Sequence, residues 1–335
     1  MKYSRYEISQ IIEALSDLHV TTENDKEFEE HLSHLFKVGE DNELTHEPMR
    51  FTRGNEAHGI IYIDGSGGGK STTIHRGLTR FKALAENPET TLPRWVPVIV
   101  KNPATLRSLG CDILKQLGVD KVSDRAKVYE IWDMVRHRLM VMGISLLWLD
   151  EAHDMFKKPT STETENMLLM LKTLMQGDHA VVVVLSGTER LSAITGVESQ
   201  VNRRFSKIRP KPLKFGADDD RVSGLINSYA ERAGLKTDLR GDAIMRLMHG
   251  SRYRFGRCME TIIRAIRCAL EDGADALKIE HFEIAWGQLE GCEIALNVFA
   301  MNDWPSLVLE DEEAQEAANS GYAPKKAAKS RKGRG

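Results

Sequence analysis

An α/β fold is what this sequence predicts: a parallel five-stranded sheet followed by a small all-α lid domain. Three observations carry that expectation. Short β-branched runs at Gly59–Ile63, Val96–Lys101, Ile144–Leu149, Val181–Ser186 and Lys207–Leu213 alternate with helical patterns at 71–86, 104–118, 123–142 and 163–176. The runs are apolar on both faces, as strands covered by helices on each side of a parallel sheet must be. After residue 216 the strand signal stops, and Asp218–Gly234, Arg240–His249, Arg257–Gly273 and Ile279–Leu296 all read as helices.

Length and charge bound the rest. At roughly 150 residues per domain, 335 residues give a prior of about two domains. Lys plus Arg number 46 against 49 Asp plus Glu, a net charge of −3, which argues against a chain coated with nucleic acid throughout but permits a local basic surface. Cys111, Cys258, Cys268 and Cys292 form no C-x-x-C pair and have no nearby His at zinc-finger spacing. Neither a disulfide framework nor a structural zinc site is expected. The first residues lack the pattern of a signal peptide. The longest apolar stretches, Met140–Leu149 and Ala180–Leu185, are about half a bilayer span or less, so the expected location is cytoplasmic, with no membrane partner.

In chain order, residues 1–57 read as a helical N-terminal extension, with Ile8, Ile11, Ile12, Leu15 and Leu18 on one helix face and Phe28, Leu32, Leu35 and Phe36 on a second. It is either a packing extension of the next domain or an arm for a partner. Residues 58–215 form the sheet domain and 216–305 the helical lid. Residues 306–335 form a charged tail, acidic at Glu310, Asp311, Glu312, Glu313 and Glu316, then basic at Lys325, Lys326, Lys329, Arg331, Lys332 and Arg334. Such a block predicts disorder.

The sharpest chemical signal is Ile60–Ile63 running into Asp64-Gly65-Ser66-Gly67-Gly68-Gly69-Lys70-Ser71-Thr72. A buried strand, a glycine-dense loop and a Lys-Ser helix start, in that order, make a P-loop. Backbone N–H groups of Gly65 to Thr72 and the helix N-terminus would hold the phosphates of ATP. Lys70 would reach the β/γ oxygens, and Ser71 would ligate Mg²⁺. The pattern departs at Asp64, where glycine is the rule. A carboxylate beside phosphates predicts slower turnover, not loss of binding.

A second buried strand ends in Asp150-Glu151. At the C-terminal edge of a parallel sheet, Asp150 would hold the metal and Glu151 would polarise the attacking water. The letters Asp150-Glu151-Ala152-His153 and Ser186-Gly187-Thr188 invite a helicase reading, but that needs a second sheet domain of about 150 residues, and the chain beyond residue 216 turns helical. A polar tip on the Val181–Leu185 strand would lie between the two phosphate-facing strands; Thr188 is the first choice and Ser186 the second. Arg203 and Arg204 precede the last strand, where an arginine can act as a finger on a neighbouring subunit's γ-phosphate; a plain solvated surface is the alternative. In Arg252-Tyr253-Arg254-Phe255-Gly256-Arg257, Arg257 has the better register to reach the nucleotide and Arg254 is the alternative.

In order, Lys70-Ser71, Asp150-Glu151, Thr188, Arg203-Arg204-Phe205 and Arg257 resemble the full set of an AAA+ ATPase. More narrowly the chain resembles transposition ATPases of the TniB/TnsC type, through Leu147–His153, Leu185–Leu191, Asn202–Phe205, Phe255-Gly256-Arg257 and Asn297-Val298-Phe299 with Asp303-Trp304. The likeness spans about residues 58–305; initiator and secretion-associated ATPases share most of its motifs, and another DNA-associated ATPase of the initiator or loader type is an alternative. It implies a regulator that binds ATP, forms a homo-oligomeric ring or filament on double-stranded DNA and recruits a transposase in concert with a target-selection protein. Lys101 and Arg107 are the expected contacts to the DNA backbone, with the basic tail as the alternative. A nucleotide-gated scaffold with negligible turnover stays open, as does, less well, a small-molecule kinase.

Overall fold

The computed structural model describes residues 3–102, 104–156, 161–191 and 203–309. Asn202 and the charged residues from Glu310 onward lie outside these described residues.

The chain opens with α1 (Arg5–Asp17) and α2 (Glu23–Ser33). Each begins at a capping box, Ser4 with Glu7 and Thr22 with Asp25, which satisfies two otherwise orphaned N–H groups. Beyond Ser33 the expectation of a helical extension is corrected. β1 (Phe36–Val38) and β2 (Leu44–Pro48) pair antiparallel around a turn in which Asn42 adopts φ 62°. Turn-forming residues from Gly39 to Asn42 stop the helical period there. The extension also splits its allegiance. Ile8, Ile12 and Leu15 bury in the C-terminal helical core, whereas Phe28 and Leu32 bury against the sheet.

The sheet domain follows the expected alternation: β3 (Gly59–Ile63), α3 (Lys70–Arg80), β4 (Trp95–Ile99), α4 (Leu106–Gln116), α5 (Val128–Val141), β5 (Leu146–Asp150), α6 (Ser161–Leu174), β6 (Val182–Gly187) and β7 (Phe205–Ile208). The five strands form one parallel sheet of order β4-β5-β6-β3-β7. β7 begins two residues before Lys207 and stops at Ile208, ahead of Pro210 and Pro212, which have no N–H for the ladder. Side chains alternate between two cores. Ile61, Ile63, Leu147, Leu149, Val183 and Leu185 face α4, α5 and α6; Ile60, Tyr62, Trp148, Val182 and Val184 face α2 and α3. This is why the runs read as apolar throughout rather than alternating.

The lid comprises α7 (Asp219–Arg232), α8 (Ala243–Gly250), α9 (Phe255–Asp272) and α10 (Ile279–Glu290). It is not purely helical: β8 (Lys236–Thr237) and β9 (Ala276–Leu277) form a short parallel pair. Val298, Phe299 and Trp304 complete its core, and the Trp304 indole N–H donates to Asp242 at 2.7 Å. Leu307 and Leu309 also pack on that core, so the described start of the tail belongs with the lid. Among the described residues no helix is long and apolar enough to cross a membrane.

Candidate functional site

Strand register builds the site. Ile63 pairs with Gly187, and Asp150 is the last residue of its strand, level with Ile99, so the chain leaves β3, β5 and β6 on one edge of the sheet. In an open parallel sheet that edge is where ligands bind. From Ile63 the chain turns through Asp64–Gly69 into α3. Gly67 and Gly69 adopt φ 73° and 97°, and Gly69 is the N-cap of α3. Those left-handed angles require glycine. The loop's amides and the start of α3 form an anion cradle, with Lys70 buried at its base.

The lid closes over this loop. A Cβ at Gly256 would lie 2.3 Å from the Gly67 carbonyl oxygen, so only glycine lets α9 start against the loop. Arg254 Nη1 and Arg257 Nε both donate to the Ser66 carbonyl, at 3.0 and 3.2 Å. Both sequence candidates therefore reach the P-loop. Arg252 fixes their entry by a two-pronged bond to Glu290 at 2.7 and 2.8 Å. That bond and the charges of Arg252 and Arg257 hold the Glu290 carboxyl below its ordinary value, against burial.

Asp150 is held from two sides. Ser71 Oγ donates to Oδ2 at 2.7 Å, and Ser186 Oγ donates to Oδ1 at 2.6 Å while accepting from Trp148 Nε1 at 2.7 Å. Ser186 is fully buried with its hydroxyl spent on these bonds, which removes it as the phosphate-facing group. Thr188 is different. Its hydroxyl is buried and has no hydrogen-bond partner among the described residues. The adjacent hydroxyl and carboxylate of Ser71 and Asp150 are hard oxygen donors of the kind Mg²⁺ takes, along with phosphate oxygens and water. The residues fit that ion.

Glu151 adopts φ 54°, an uncommon angle for a non-glycine residue. Its N–H donates to Asp150 Oδ1 at 2.9 Å. The turn brings its carboxylate to 3.6 Å from Lys70 Nζ and 3.3 Å from His153 Nδ1. In the sequence His153 stands out only as a letter in a helicase-like string. Burial pushes its imidazole below the ordinary value although Asp154 and Glu151 pull it up, so it stands neutral beside Glu151 at pH 7.

The paired arginines separate. Arg204 is 1% exposed, ion-paired with the buried Glu56. A guanidinium sealed inside its own subunit cannot extend to a neighbour, so Arg204 is corrected from finger to internal support. Arg203 is 58% exposed and lies 3.3 Å from Glu56. Lys101 is exposed but ion-paired with Asp112. Arg107 donates to the carbonyls of Ser123 and Ala126, tying down a loop. Sequence reasoning does not single out Lys121, Arg125 and Lys127, which this loop and the start of α5 expose. Nor does it find a cavity of about 760 Å³ between Gly68, Gly69 and Thr72 of the P-loop segment, Val20 of the α1–α2 linker, and Met259 and Ile263 of α9. No local motif marks it, because three distant segments wall it.

Fold and site together define an AAA+ P-loop protein with a helical lid. Residues 47–214, half of the chain, match the family described as Bacterial TniB protein; the chain belongs to that family. Among solved structures it is similar to the Orc1 protein of Aeropyrum pernix in complex with DNA, at 17% identity and a TM-score of 0.57, covering 85% of this chain and 69% of that one. It is similar to the Aeropyrum pernix ORC2 protein in ADPNP–ADP complexes, at 17% identity and TM-score 0.54 over 83% and 72% of the two chains. Cdc6p from Pyrobaculum aerophilum is similar at 12% identity and TM-score 0.54, over 84% and 74%. No curated protein matches the chain.

Proposed function

We propose that the chain is an ATP-dependent regulator of DNA transposition. It oligomerises on double-stranded DNA as a ring or filament and recruits or activates a transposase at a target set by a target-selection protein. The observation that carries this reading is one constellation in a TniB-family chain: the glycine loop, the Ser71–Asp150 pair, the Lys70–Glu151 pair and the Thr188 hydroxyl, which has no partner among the described residues, meet at one sheet edge beneath two lid arginines.

Each residue then has a task. The amides of Ser66, Gly67 and Gly69, with those of Ser71 and Thr72, hold the phosphates while Lys70 neutralises the β/γ oxygens. The Gly65 and Gly68 N–H groups are bonded within the loop, to Asp64 Oδ1 and the Gly65 carbonyl, and shape it. Ser71 and Asp150 would hold Mg²⁺, which would supply charge neutralisation at the phosphates. Glu151 orients the attacking water, with Lys70 holding its carboxylate between turnovers. Thr188 donates to the γ-phosphate. Arg257 and Arg254 swing from the Ser66 carbonyl to phosphate oxygens. Arg203 serves the neighbouring subunit's γ-phosphate in trans. The cavity of about 760 Å³ has the size of a ligand pocket and takes the nucleoside. Lys101, with Lys121, Arg125 and Lys127 on the loop that Arg107 anchors, contacts the DNA backbone. The likeness to an Orc1 protein solved with DNA supports that last point.

Asp64 favours a second reading, a scaffold that assembles on nucleotide and scarcely turns it over, because it adds a negative charge to the loop itself. Steady-state ATP hydrolysis with and without duplex DNA separates the two. Hydrolysis stimulated by DNA and abolished by Lys70→Ala is the expected result. Tight nucleotide binding without turnover selects the scaffold, and no nucleotide binding refutes both.

A further inference from the structure

Glu56 is a buried carboxylate reached by two arginines. Arg204 Nη2 pairs with Oε1, while Arg203 Nη2 lies 3.4 Å from Oε1 and 3.3 Å from Oε2. The Thr52 hydroxyl donates to Oε2 at 2.9 Å. The backbone beneath is fixed too: Glu56 bridges to Phe51 and to Gln176, and the Ala57 N–H bonds the Met175 carbonyl at 2.9 Å. Arg204 Nη1 reaches the Lys172 carbonyl at 3.5 Å. Burial opposes ionisation of Glu56, but the Thr52 bond and the charges of Arg204 and Arg203 outweigh it and keep the carboxylate charged below its ordinary value.

The two guanidiniums are not equivalent. A charge sealed in the interior needs a fixed counter-charge, and removing that partner is costly. Arg204 takes that share. Arg203 is left with the outer lip of the same carboxylate, at distances longer than those of a strong charge-assisted bond. Such a contact sets the direction of a side chain without holding it back.

We propose that Glu56 is a positioning residue for Arg203. With Arg204 as its buried counter-charge it makes a fixed post, from which Arg203 extends to the γ-phosphate held by the neighbouring subunit. This rests on the reading of Arg203 as the finger in trans. Placement matters because an offset of about 1 Å in a group that meets the transition state costs roughly a hundredfold in rate.

The test measures ATP hydrolysis on duplex DNA for Glu56→Gln, Arg203→Ala and Lys70→Ala proteins, alone and in equal mixtures. Lys70→Ala spoils a subunit's own phosphate site but leaves its Arg203 in place. Glu56→Gln is expected to lower kcat by about a hundredfold with unchanged ATP affinity. Turnover returns on mixing with Lys70→Ala, whose Arg203 completes the Glu56→Gln subunit's site. Arg203→Ala is rescued in the same way. Wild-type turnover of Glu56→Gln overturns the inference. So does a loss that Lys70→Ala fails to rescue while it does rescue Arg203→Ala; the finger then stands and Glu56 acts only within its own subunit. Normal turnover of Arg203→Ala, or no rescue of it, shows instead that the finger reading has failed. If Glu56→Gln does not fold, Glu56→Asp keeps the charge that Arg204 needs while withdrawing it by one methylene. The same rescued loss is expected, and wild-type turnover there overturns the inference.

Discussion

Replacing Asp64 tests whether the departure in the P-loop is tolerated or tuned. The carboxylate is folded onto the loop. Its Oδ1 accepts from the Gly65 N–H at 2.8 Å, and a Cβ at Gly68 would lie 1.9 Å from its Oδ2. Phosphates held by the same loop's amides meet this charge at close range. For unit charges about 6 Å apart in an effective dielectric of about 20, the repulsion is ~3 kcal/mol, or roughly a hundredfold in affinity. Asp64→Asn removes the charge and keeps an oxygen for the Gly65 N–H, so it isolates the electrostatic part. It is expected to tighten nucleotide binding by about ten- to a hundredfold, since counter-ions screen part of the repulsion. Asp64→Gly loses the loop anchor as well and should gain less. Titration of a fluorescent ATP analogue at two salt concentrations measures both. If Asp64→Asn binds with wild-type affinity at low salt, the carboxylate does not oppose the phosphates and the scaffold reading loses its motive.

Glu151→Gln should bind ATP yet leave it unhydrolysed, so its DNA-bound oligomers persist longer; dissociation at the wild-type rate in ATP would count against hydrolysis driving disassembly. Ser186→Ala strips a buried bond from both Trp148 Nε1 and Asp150 Oδ1. It should cost about 2–4 kcal/mol of stability, read as a lower urea midpoint, and an unchanged midpoint refutes the assignment. Affinity for duplex DNA should fall steeply with salt and vary little with sequence. Lys101→Ala with Lys121→Ala and Arg125→Ala should weaken it more than a deletion beginning near Ser320; the reverse ranking assigns binding to the basic tail. Burial is the strongest influence on His19, His46, His58, His153 and His281, and it lowers all five. The unfolded chain therefore binds protons more readily, so stability should be full above about pH 6.5 and fall as pH drops through the lowered values. A urea midpoint equal at pH 7.5 and pH 5.5 would contradict this.

Much of the site is legible because its parts are local. Gly67 and Gly69 stand where left-handed angles are needed, and Asp150-Glu151 ends a run whose apolar character follows from burial on both faces. Strand order does the rest, placing Thr188 between β3 and β5. The illegible features depend on partners far along the chain. Nothing near Arg203 and Arg204 tells them apart; Glu56, almost 150 residues earlier, does so by having room for only one counter-charge inside. Ser186 and Thr188 likewise look alike until Trp148, from the neighbouring strand, takes the first as an acceptor. The β1–β2 hairpin escapes a sequence reading because three- and five-residue strands are too short to set a period against the helical pattern before them.

The extension then acquires a reason that its sequence does not offer. α1 packs in the lid core and α2 on the sheet, and their linker walls the cavity beside the P-loop. Besides the 209–218 connection from β7, the lid is thus tied to the sheet through residues 18–22 and through the Ser66 contacts of Arg254 and Arg257. A ligand that filled the cavity and drew those arginines to its phosphates would act on both connections together. The two domains would then close as one step, not as a loose lid settling on a finished site.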